Sequence, residues 1–112
     1  MSDTITITVR PFRMGTEKDA ALKPLEEAAE VYAEWQRIEM WRRAVNPEPV
    51  ALPIIEPRRT TLANELADCV TACANLAARY GLDLQAAIDR VEVRNRERGR
   101  YPMAGEVTDG RP

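Results

Sequence analysis

The sequence predicts an all-α fold, a helical bundle completed by oligomerisation, with a short N-terminal β-strand. Three observations lead there. Apolar residues recur at three- and four-residue spacing in three segments. A tract with four prolines, NPEPVALPIIEPRR, separates the first segment from the second, and Gly81 separates the second from the third. The first helix is also apolar on two opposite sides, so it needs more partners than one short chain supplies.

The elements follow in order. TITITVRPF reads as a strand from Thr4 to Val9. A single strand is not stable alone, so it requires a partner, either in a second subunit or in a hairpin with the VALPII segment. Thr16, three residues before Asp19, is the expected cap of helix one, which runs to about Val45. Pro24 sits in its first turn or marks a bend after it. Thr60 or Thr61 is the expected cap of helix two, with Gly81 at its end. Asp83 caps helix three, Leu84 to about Arg98, which Gly99 and Pro102 terminate. The 112 residues are expected to make a single domain, 1–112, with 1–15 as an extended arm and 103–112 as a flexible tail.

Composition removes several function classes. A formal net charge of −2 argues against a protein built to bind nucleic acid or an anionic membrane. Arg90, Arg94, Arg96, Arg98 and Arg100 lie around helix three rather than along one face, which also disfavours nucleic acid. No apolar run approaches the roughly 20 residues that span a bilayer, and no signal-peptide pattern is present. Cys69 and Cys73, four apart in a helical pattern, fit a reducing cytoplasm better than a disulfide framework. The sequence has no histidine, which removes His-based triads and the commonest transition-metal ligand. A metal site would have to be built from oxygen, and so would suit magnesium, manganese or calcium.

Facing on a helix follows from its turn of about 100° per residue. On helix two, Leu62, Leu66, Cys69, Cys73, Leu76 and Tyr80 form one stripe, the expected core seam. Glu65 falls at the edge of it and Asp68 one step further round. On helix one, Leu22, Leu25, Ala29, Tyr32 and Met40 form one apolar face, and Val31, Trp35, Ile38 and Trp41 the other. Glu27 and Glu34 fall within the second face, with Glu30 at its margin. Two acid pairs at i, i+3 result, Glu27 with Glu30 and Glu65 with Asp68. Helices packed side by side would bring these four carboxylates together, an arrangement held only by a cation such as magnesium. The plainer alternative is surface charge matched by nearby arginines. Helix three adds Asn95 and Arg98, where the stripe Leu84, Ala87, Ile88, Val91 turns polar. Either the helix end emerges into solvent or these residues hold anionic or polar ligand groups.

Glu26-Glu27-Ala28-Ala29-Glu30 followed by Glu65-Leu66-Ala67-Asp68 resembles the EExxE and ExxD signature of all-α nucleoside triphosphate pyrophosphohydrolases, the MazG-like branch above all. The resemblance covers roughly Ala21 to Pro102 and includes LANELADCVTACANLAARYGLDLQAAIDRVEVRNRERGRYP. It implies magnesium, with manganese as a substitute, at Glu27, Glu30, Glu65 and Asp68, with Glu26 as a supporting carboxylate. It implies a catalytic part for Glu26, Glu27 and Glu30, and substrate contacts at Arg94, Asn95 and Arg98. The implied reaction cleaves a nucleoside triphosphate to monophosphate and pyrophosphate in a homodimer or homotetramer. Trp35 is a candidate base platform, set against the usual core role of a tryptophan at helical spacing. The sequence departs from the family at three places. The 34-residue interval 31–64 is longer, Val91 stands where the family often has lysine, and the N-terminal strand is not a core family feature. Two further readings stand beside this one: a phosphoribosyl-ATP pyrophosphatase-like enzyme, and a catalytically silent helical oligomer that binds nucleotide or protein.

Overall fold

The computed structural model describes residues 4–45 and 53–101. Among them are three helices, α1 (Glu17–Val45), α2 (Arg58–Arg79) and α3 (Leu84–Glu97), and no strand. The all-α expectation therefore holds. The chain divides into two compact units, Met1–Gly81 with α1 and α2, and Leu82–Pro112 with α3. Among the described residues no helix is long and apolar enough to cross a membrane.

The helix ends follow local chemistry. The Thr16 hydroxyl accepts the Asp19 amide at 3.0 Å, so α1 starts on the expected cap. Pro24 lies inside the continuous helix, beyond its first turn. With no N–H to donate, Pro24 removes one i→i−4 bond there. Helix α2 begins at Arg58, ahead of the expected caps, because neither threonine caps it. Instead the Glu56 carboxylate accepts from the Thr60 amide at 3.3 Å and from its hydroxyl at 2.5 Å. The Thr61 hydroxyl donates to the Pro57 carbonyl at 3.2 Å. Gly81 closes α2 at φ +62°, the left-handed conformation that glycine adopts without strain. In the second unit, Asp83 accepts the Ala86 amide at 3.0 Å and caps α3 as expected.

Helices α1 and α2 run antiparallel, as their contacts show. Arg58 at the start of α2 reaches Glu34, Glu65 lies near Glu27 and Glu30, and Tyr80 beyond its end reaches Glu17. The packed face of α1 holds Ala20, Glu27, Glu34 and Ile38, with Val31 and Trp41 half-buried. That is the acid-bearing face anticipated above. Its other face, Leu22, Leu25, Tyr32 and Met40, is exposed, Met40 by 73%.

One expectation is corrected and one is not met in the single chain. The stripe Leu62, Leu66, Cys69, Cys73, Leu76, Tyr80 is buried only in part, at Leu62, Cys69 and Leu76; the fully buried positions of α2 are Ala72, Ala74, Asn75 and Ala77. Leu66 and Tyr80 remain about half exposed. Over Thr4–Val9, expected to pair as a strand with a second subunit or a hairpin, the single chain forms no strand, and residues 4–14 are an arm without regular secondary structure. Val50, Ala51 and Leu52 of its suggested hairpin partner, and the tail 103–112, lie outside the described residues. The arm is tied to α2 by side chains instead of a ladder. The Phe12 amide donates to Oδ1 of buried Asn75 at 2.7 Å, and Arg79 donates to the Met14 carbonyl at 3.1 Å.

Glu34 is 2% exposed, and two cations balance it. It receives Arg37 at 3.0 Å from its own helix and Arg58 at 3.4 Å from the start of α2. Glu34→Ala would strip both arginines of their partner at the helix contact and lower stability by about 2 kcal/mol. Denaturant unfolding reads this directly, and Glu34→Gln, which keeps the shape, should lose less.

Candidate metal centre

The middle of the α1–α2 contact gathers acids. Glu27 is buried on the packed face of α1, Glu30 lies about one turn on and is exposed, and Glu65 is half-buried on α2. One carboxylate oxygen from each of the three lies within 4.8 Å of the others. The second expected pair is thus brought to the first only through Glu65. Asp68 stays outside that trio, exposed one turn along α2. It still lines, with Glu27, Lys23, Phe12, Met14 and Asn75, a cavity of about 230 Å3 beside the cluster.

Two oxygens in this cluster, Oε2 of Glu27 and Oε2 of Glu65, are buried and have no hydrogen-bond partner among the described residues. Such a group normally costs about 1–3 kcal/mol, more when charged, so it calls for a ligand or a proton. The Glu65 carboxyl is held above the usual carboxylate range. Burial is the largest cause, followed by the Glu30 carboxylate in hydrogen-bonding contact, then the charges of Asp68 and Glu27. The donor set is entirely oxygen, which suits a hard divalent cation such as magnesium or manganese. The three residues therefore fit such an ion.

Lys23 is the member of the site that sequence reasoning missed. Its ammonium lies 3.2 Å from Glu27 and 3.5 Å from Glu26. The contact with Glu27 is also the main reason its pKa is raised. The signal was present, since Lys23 precedes Glu27 by four residues on one helix. Glu26 is exposed and points to the Lys23 side of the cluster, outside the trio. Burial, the neighbouring Cys73 and the Glu27 charge push the Cys69 thiol up, so it is not a poised thiolate.

The remaining candidates lie elsewhere. Trp35 is 45% exposed and stacks on Tyr32 with ring centroids 5.7 Å apart at 17°, so one face of its indole is covered. In the second unit, Arg94 and Arg98 are exposed. Asn95 is half-buried, its Oδ1 accepting from Arg100 at 3.3 Å. No family model, curated protein or solved structure matches the chain.

The raised Glu65 value has a signed consequence. The folded protein binds that proton more tightly than the unfolded chain does. The resulting stability is fully present below the ordinary carboxylate range and is lost as pH rises through the raised value. In metal-free buffer at pH 7, Glu65→Gln should therefore melt at a higher temperature than the parent. That difference should shrink as the pH falls into the carboxylate range. A variant no more stable than the parent at neutral pH contradicts the repulsion described for the cluster.

Proposed function

We propose that the protein is a magnesium-dependent nucleotide pyrophosphohydrolase that cleaves a nucleoside or deoxynucleoside triphosphate to the monophosphate and pyrophosphate. One observation carries the reading: three carboxylates meet within 4.8 Å, and two of their buried oxygens lack a partner among the described residues. The order of those acids along the chain is the order of the EExxE and ExxD pattern.

In this reading Glu27, Glu30 and Glu65 hold the ion, and Asp68 joins from the cavity it shares with Glu27. When bound, magnesium supplies charge to offset the phosphates and acidifies water. The protein's own groups do the rest. In a chain without histidine, a carboxylate of the cluster takes the proton of the attacking water. The water oxygen bonds to the α-phosphorus and the α–β anhydride bond breaks, with its electron pair leaving on pyrophosphate. Lys23 neutralises part of the acid charge when the site is empty of substrate, and Glu26 supports it from the rim. The resemblance implies substrate contacts for Arg94, Asn95 and Arg98, and the open face of Trp35 is assigned to the base.

The exposed apolar face of α1 supports self-association into a homodimer or homotetramer. Leu25, Tyr32 and Met40 lie uncovered along one helix side, as a helix sandwiched between partners requires.

A pyrophosphate-release assay over canonical and modified NTPs and dNTPs, with and without magnesium, tests the reading. Turnover should depend on magnesium, and Glu27→Gln and Asp68→Asn should each reduce it on the order of a hundredfold. No turnover of any nucleotide, or variants equal to the parent, would sink the enzyme. Magnesium-dependent nucleotide binding without turnover would instead favour a silent binding oligomer.

A further inference from the structure

The N-terminal arm lines a second space. Pro11, Phe12, Arg13 and Met14 border an open cleft of about 500 Å3 that is lined on its other side by residues that include Asn75 and Arg79. Its size lies within the range of small-molecule sites. Phe12, Met14 and Asn75 also line the 230 Å3 cavity of Lys23, Glu27 and Asp68. The two spaces therefore adjoin along a shared wall, with the acids on one side and two arginines on the other.

The charges of the cleft are unequally engaged. Arg79 gives one N–H group to the Met14 carbonyl at 3.1 Å, which seats the arm and leaves further donors on the same guanidinium. Arg13 has no hydrogen bond or ion pair among the described residues. Glu17, the acid in this lining, accepts the Tyr80 hydroxyl at 3.2 Å.

We propose that the arm cleft holds the pyrophosphate end of the substrate's phosphate chain, with Arg13 and Arg79 as its phosphate-binding side chains. The proposal rests on the pyrophosphohydrolase reading of the acid cluster. A triphosphate anchored at the acids must lay its next phosphates against a neighbouring surface, and the cleft supplies one with two guanidinium groups. Guanidinium matches phosphate oxygens in both charge and fork geometry. The arm is thereby part of the site, placed there by the Phe12 to Asn75 hydrogen bond.

Arg13→Ala is the clean variant, because Arg13 is exposed whereas Arg79 also seats the arm. Calorimetry with inorganic pyrophosphate in magnesium buffer reads the cleft without turnover. The variant should bind pyrophosphate about tenfold more weakly than the parent, the loss of roughly one charged hydrogen bond. Nucleoside monophosphate affinity should be unchanged. Equal pyrophosphate affinity in parent and variant overturns the proposal, as does a parent that binds none. A loss confined to the monophosphate also overturns it and gives the cleft to the nucleoside. If the parent turns over no nucleotide yet binds pyrophosphate through Arg13, the cleft stands and the hydrolase reading falls.

Discussion

Like charges drawn together where two helices pack are the constraint around which the first unit is built. Glu27, Glu30 and Glu65 lie within 4.8 Å of one another, partly shielded from water that would screen them. Ordinary packing would place apolar side chains at such a contact. The protein instead keeps acids there, and two carboxylate oxygens have no partner among the described residues. Lys23 offsets one side of the cluster, while burial first and the neighbouring carboxylates second raise the Glu65 pKa.

The surrounding structure compensates for that repulsion. Glu34, two turns along α1 from Glu27, is equally buried but fully paired, by Arg37 and Arg58. The contrast separates two kinds of buried acid on one helix face. Glu34 joins the helices, whereas Glu27 is paired within its own helix by Lys23 and has a cavity beside it. The arm completes the wall of that cavity through Phe12 and Met14, held by buried Asn75 and by Arg79. An element that forms no sheet thus acquires a place next to the acids.

Much of this was legible in the sequence, for identifiable reasons. Helical periodicity and the capping chemistry of Thr16, Asp83 and Gly81 located the helices, because those signals are local. The facing calculation put Glu27 and Glu34 on the packed side of α1, and the structure places them there. The stripe on α2 misled because periodicity weights large apolar residues, while the most buried positions are the small Ala72, Ala74 and Ala77 with Asn75. Glu56 as the capping group of α2 was missed because its carboxylate reaches forward to Thr60 from outside the helix. For the arm, β-branched residues report a preference for extended backbone, not whether a partner strand exists. Asn75 and Arg79, its actual anchors, lie more than sixty residues away in sequence. No local pattern reports such a contact.

The most direct measurement is a calorimetric titration of magnesium into the metal-free protein at neutral pH, repeated with Glu65→Gln. If the cluster exists to hold a divalent cation, the parent binds magnesium and releases protons from the cluster as it does so. The variant, with one donor neutralised and the repulsion relieved, should bind at least tenfold more weakly. A parent that takes up no magnesium, or a variant that binds it as well as the parent, would contradict the assignment of these acids to a cation.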